Sequence, residues 1–198
     1  MSTRPTDHHL AQSPLRSLRK YYFVRFAVSA VWVALAITVA KNVPALAAVM
    51  LVGYPAWDAL ANYIDAQRNG GLGRNKTQLL NFIASAIITV AVLVALGVSM
   101  NRVLEVFGIW AVLAGLLQLA TGIRRWKSYG AQWAMILSGA QSAAAGTHFI
   151  AVAGTATVTA TAIGIVTPYA AFGAFYFLVS AIWLTVSETR QRTLCNAG

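Results

Sequence analysis

Tyr54, Asp58, Asn62 and Asp65 recur at intervals of four, four and three residues, which lays them along one face of a helix. The stretch that carries them, 43–67, is otherwise largely apolar. A carboxyl group held in hydrocarbon costs about 2.5–3.5 kcal/mol on insertion scales, so each acid here is a functional candidate by default. By helix rise, Asp58 sits roughly 15 Å from the Arg68 end, near mid-depth, and Asp65 about one turn from it. No basic residue in another span lies at the depth of Asp58. It is therefore expected to be protonated or hydrogen-bonded to neutral partners, and Gln118 and Gln141 lie at comparable depth. Such a group serves packing, or it binds or relays protons or cations. Pro55 beside it frees a backbone carbonyl one turn earlier, a further ligand in a kinked helix.

Other ionisable residues have simpler readings. Arg25 lies about one turn inside the same surface as Asp65, and the two are expected to clamp the first span to the second. His148 is expected to make an interhelical hydrogen bond or to sense pH. Arg102 and Glu105 have the spacing of an exposed helical ion pair. His8 and His9 have no further ligand nearby, so no metal site is expected. Cys195 is the single cysteine, which excludes an intrachain disulfide. The chain has no P-loop, dinucleotide fingerprint, HExxH or nucleophile elbow. Asp58 and His148 fall roughly 10 Å apart in depth, too far to act together. Neither enzymatic activity nor a cofactor is expected.

The elements that position these residues follow from composition. Of the 198 residues, 58 % are hydrophobic and 10 % charged, with a net charge of +10. The isoelectric point is near 10.4 and the mean hydropathy +0.64. A soluble fold of this size could not hide so much apolar surface behind so little charge. The pattern predicts an all-α integral membrane protein with spans at about 21–40, 43–67, 77–99, 103–123, 131–153 and 157–186. Residues 1–20 read as a polar arm, disordered or lying on the surface, 21–192 as a six-helix bundle, and 193–198 as a short tail. The first span is too long for a signal-peptide core and reads as an uncleaved anchor.

All Lys and Arg except Lys41 and Arg102 fall on one side of these spans, in the arm, at 68–76, at 124–130 and near the C-terminus. The positive-inside rule then places both termini in the cytoplasm, in a multi-pass protein of the inner (cytoplasmic) membrane. Tyr21, Tyr22, Trp126, Tyr129 and Trp133 border the basic segments as an interfacial belt would. The excess charge thus reads as orientation and as contact with anionic lipid head groups, and no nucleic acid is implied. GGLG at 70–73 reads as a flexible turn. The alternating threonines at 155–161 read as an outer loop or a frayed helix start.

One displacement of the chain on itself sets Lys20 on Lys76, Phe26 on Phe82, Ser29 on Ser85, Leu60 on Leu116, Asn62 on Gln118 and Arg68 on Arg124. Ser85-Ala86 lines up in turn with Gly139-Ala140, and Gly108 with Gly173. This predicts three parallel copies of a helical hairpin. Gly108, Gly115 and Gly122 share a face of span 4, and Ser138, Ser142 and Gly146 share one on span 5. Such faces permit close approach within the bundle or between copies in a homo-oligomer.

The segment 108–146, GIWAVLAGLLQLATGIRRWKSYGAQWAMILSGAQSAAAG, resembles the repeat of the HdeD-like family of bacterial acid-resistance membrane proteins. The resembling features are a Gly-aromatic opening, a mid-helix Ala-Gly, an Arg-rich turn and a Ser-Gly helix. The pattern extends over about 77–192 and is weak over the first hairpin, where span 2 is far more polar. The resemblance implies six helices in the cytoplasmic membrane and a non-enzymatic role in envelope or acid stress. The alternative is a small channel or transporter for protons, cations or a small solute, lined by Asp58, Asn62, Gln118 and Gln141.

Overall fold

A computed structural model gives the fold and describes residues 6–124, 132–155, 157–159 and 162–196. Helix α1 spans Thr6–Thr38, α2 Pro44–Arg68, α3 Lys76–Leu96, α4 Met100–Arg124, α5 Gln132–Thr155 and α6 Ala162–Asn196. Among the described residues every regular element is helical. Among the described residues, five helices are long and apolar enough to cross a membrane. The apolar runs fix these positions, and α2 to α5 lie within a few residues of the expected spans.

The ends differ more. Helix α1 begins at Thr6, inside the arm read as disordered or lying on the surface. Extending an existing helix needs no new nucleus, so a polar arm can join one that apolar residues already hold. Helix α6 starts at Ala162 and runs on to Asn196; of the threonine stretch, Thr155 ends α5 and the described residues 157–159 are non-helical. The basic turn at 124–130, beyond Arg124, and the last two residues of the tail lie outside the described residues, as do the side chains of His8, His9 and Cys195.

Local chemistry sets the connections. Val43 is extended, as a residue before proline must be, and Pro44 opens α2 at a position that needs no N–H. Ser99 caps α4 by accepting the backbone N–H of Arg102 at 3.2 Å. The 69–75 turn is more organised than its glycines imply. Gly70 and Gly71 adopt φ of 94° and 90°, which side chains disfavour. The Asn75 amide donates to the carbonyls of Asn69 and Gly71, both at 2.8 Å, and of Ala66 at 3.4 Å.

The chain divides into two units, cut within α1 after Val31 and within α6 after Ala170. In the larger unit, α4 and α5 share the most extensive interface, followed by α2 with α3 and then α3 with α4. The closest helix pairs are thus those joined by the basic turns, whereas the sequence repeat is one helix out of step with them. The core takes Trp32, Leu51, Val92, Phe107, Phe149 and Ile163, one residue from each helix. Each lies near the end of its helix remote from the 69–75 turn. By contrast Ile87, Val90, Leu93 and Val94 on α3 are exposed, as lipid-facing side chains are.

Glycines let α4 and α5 touch backbone to backbone. A Cβ on Gly115 would fall 2.6 Å from the Gly139 carbonyl and the Ala143 nitrogen. One on Gly146 would fall 2.5 Å from the Gly108 carbonyl. The two contacts lie about 10 Å apart along the helices, which requires nearly antiparallel axes. Ser142 adds a hydrogen bond to the Ala111 carbonyl at 3.1 Å. Gly108, Gly115, Gly139, Ser142 and Gly146 thus meet within one chain.

Candidate functional site

The polar face of α2 meets α3 in two layers. In the first, Asp58 Oδ2 accepts hydrogen bonds from Ser85 Oγ at 2.7 Å and from Asn62 Nδ2 at 3.1 Å. Asn62 also donates to the Asp58 carbonyl at 2.8 Å, and both Asn62 and Ser85 are buried. In the second layer, nearer the turn, the buried Asp65 accepts from Gln78 Nε2 at 3.1 Å and from Asn69 Nδ2 at 3.0 Å. Each carboxylate thus receives one donor from its own chain segment and one from α3. Amide and hydroxyl groups, not cations, supply these bonds, which suits a medium where a buried polar group must be satisfied.

The remaining candidates lie elsewhere. Tyr54 leaves the polar face for an aromatic group, its ring 5.0 Å from Trp32 and 6.0 Å from Trp110. Trp32 donates to the Met50 carbonyl at 3.0 Å, in the part of α2 that Pro55 loosens. Gln118 faces α5, where its Nε2 donates to Ser138 Oγ at 3.2 Å. Gln141 is half-buried on α5. His148 is exposed beside Phe149, so the expected interhelical bond gives way to an outward-facing ring. Glu105 and Arg102 form the expected i,i+3 pair. Among the described residues no cluster of His, Cys, Asp or Glu could hold a metal ion.

Arg25 belongs to the smaller unit and Asp65 to the larger. The Arg25 guanidinium donates to Tyr21 Oη at 2.8 Å and lies 4.4 Å from the centre of the Phe177 ring. Nearly two turns away, Arg19 meets Glu188 at 2.6 Å.

Sequence reasoning missed Ser85, Gln78 and Glu188 as partners. Ser85 was visible only as a match to Ser29 and to Gly139 in the repeat. The register that sets Asn62 on Gln118 sets Asp58 on Ala114, so the acid belongs to the α2–α3 pair and has no counterpart on α4.

Residues 83–151 match the family described as a short repeat of unknown function (DUF308), which is found in HdeD-like membrane proteins. No curated protein and no solved structure matches the chain. The matched stretch takes in Ser85, the glycine contact of α4 and α5, and the Gln118–Ser138 bond. Asp58 and Asp65 lie outside it. Together with the five apolar helices, the match marks a multi-pass membrane protein with a repeat of this kind.

Proposed function

We propose that the chain is an HdeD-like protein of the inner membrane, with six spans and both termini cytoplasmic, that serves envelope or acid stress tolerance without catalysis. The observation that carries this reading is the bonding of Asp58. Its carboxylate is engaged by Asn62 and Ser85 across the α2–α3 seam, the arrangement of a group that holds helices together. The exposure of Arg68, Arg74 and Lys76 supports contact with anionic head groups. A deletion strain complemented with wild type or with a Gly115→Leu variant tests the role. Wild type is expected to restore survival under acid challenge and the variant to fall short; equal survival of the deletion and parent strains would remove the stress role.

A second reading has its own support. Ser85, Asp58 and Asn62 link by side-chain hydrogen bonds, and Asp65 with Gln78 forms a second group nearer the basic turn. Such a series is the material of a proton or cation path. Flux into proteoliposomes, compared between wild type and Asp58→Asn, decides: a pH-dependent flux lost in the variant favours transport, and no flux in either protein sinks it.

A further inference from the structure

A groove of about 420 Å³ runs along the outer side of the α2–α3 pair. Its floor is Ala56, Ala59 and Ala86, and its walls include Leu60, Tyr63 and Phe82. Three alanines on two facing helices leave a furrow that larger side chains would fill. The rings of Tyr63 and Phe82, 5.7 Å apart, stand toward its basic end. Beyond that end, by helix rise, Arg68 follows Tyr63 by about 8 Å and Lys76 precedes Phe82 by about 9 Å. Arg74 stands in the turn between them, its stem 3.3 Å from where a Gly70 Cβ would sit. All three cations are exposed, and the two acids nearby are engaged with Ser85, Asn62, Asn69 and Gln78. The surface therefore pairs an apolar furrow at acyl-chain depth with a cluster of positive charge at head-group depth. The size falls within the range of small-molecule sites.

We propose that the α2–α3 pair binds one anionic phospholipid, with an acyl chain in the alanine-floored groove and the phosphate against Arg68, Arg74 and Lys76. The proposal rests on the membrane orientation given above, which sets the 69–75 turn at the head-group level. A neutral or zwitterionic lipid fills the furrow equally well but gains nothing from the cations, so the site discriminates by charge. Its role is to hold a lipid in register with the seam that contains Asp58 and Asp65.

The full chain, purified in detergent, is titrated with phosphatidylglycerol and phosphatidylcholine of identical acyl chains, and retention is read by native mass spectrometry. Three cations near a surface lead to an expected preference of about tenfold or more for the anionic lipid. The combined Arg68→Gln, Arg74→Gln, Lys76→Gln variant changes only exposed side chains and is expected to retain both lipids equally. Ala86→Phe fills the furrow and is expected to weaken retention of both; Leu60→Ala, which removes a wall, does the same where Ala86→Phe does not fold. A charge variant that keeps the wild-type preference overturns the proposal, as does a groove variant that binds as wild type. Cysteine-accessibility mapping of the 69–75 turn in cells reads orientation separately. A turn found outside removes the proposed topology, whereas a cytoplasmic turn without lipid preference removes only this site.

Discussion

Ser85 on α3 donates a 2.7 Å hydrogen bond to Asp58 Oδ2 on α2, and so fixes the more central of the two α2 acids to a neutral partner. Asn62, one turn along α2, donates to the same oxygen. Interhelical hydrogen bonds in membranes are worth about 0.6 kcal/mol on average and up to about 1.7. Ser85→Ala is expected to cost an amount in that range, since it leaves the carboxylate with one fewer donor. Asp58→Asn keeps an oxygen for both donors and is expected to cost less than Asp58→Leu, which strands Asn62 and Ser85. Unfolding in mixed detergent micelles reads the order; equal losses for Asn and Leu would show that the bonds contribute nothing.

The glycines of α4 and α5 lead to a sharper contrast. A methyl group on Gly146 would lie 2.5 Å from the Gly108 carbonyl, so backbone must move to admit it. Gly146→Ala and Gly115→Ala are each expected to lose about 1–3 kcal/mol, the scale of overpacking. Gly53, within α2, has nothing within 4 Å of the added atom. There alanine is expected to stabilise by up to about 1 kcal/mol, because glycine is the poorer helix former. Thermal melts of the three variants should fall on opposite sides of wild type.

The contrast between these two sites also shows what the sequence could reveal. Heptad-spaced Gly108 and Gly115 announce a close approach from spacing alone, and apolar runs of about 20 residues place the helices. Gly146, which meets Gly108, stood out on the small-residue face of span 5, whereas Gly139, which meets Gly115, was visible only through the repeat register. Ser85 was harder still, since a serine among alanines and valines carries no mark of the face it occupies. Tyr54 misled because a shared face at four-residue spacing says nothing of depth, and its end of α2 lies in the aromatic core. The helix through the polar arm had no mark in the sequence, because composition argues against a helix starting alone, not against one continuing. The alanine groove has no signature, since alanine lines furrows and tight interfaces alike.

The turn between α2 and α3 is expected to behave as an ordered element. Asn75→Ala removes donors to the carbonyls of Ala66, Asn69 and Gly71 at once. Gly70→Ala and Gly71→Ala force side chains into φ near 90°, at a cost of about 1 kcal/mol or more each. Hydrogen exchange at 69–75 should rise in all three variants, with Asn75→Ala affecting the whole turn. A turn that exchanges at the unprotected rate in wild type would contradict this.

Arg19 and Glu188 join α1 to α6 through a 2.6 Å contact, and the Glu188 side chain is only 10 % exposed. Removing one member of such a pair leaves the other charge poorly solvated, whereas removing both does not. Glu188→Gln and Arg19→Gln are therefore each expected to destabilise by about 1–3 kcal/mol, discounted at Arg19 because a quarter of its side chain reaches solvent. The double variant should cost less than the two single losses added together. A double-mutant cycle in detergent measures the difference, and strict additivity would mean that the contact carries no coupling. The expected sign follows from burial: Glu188 Oε1 is enclosed without a hydrogen-bond partner among the described residues, so its charge depends on Arg19 through the other oxygen.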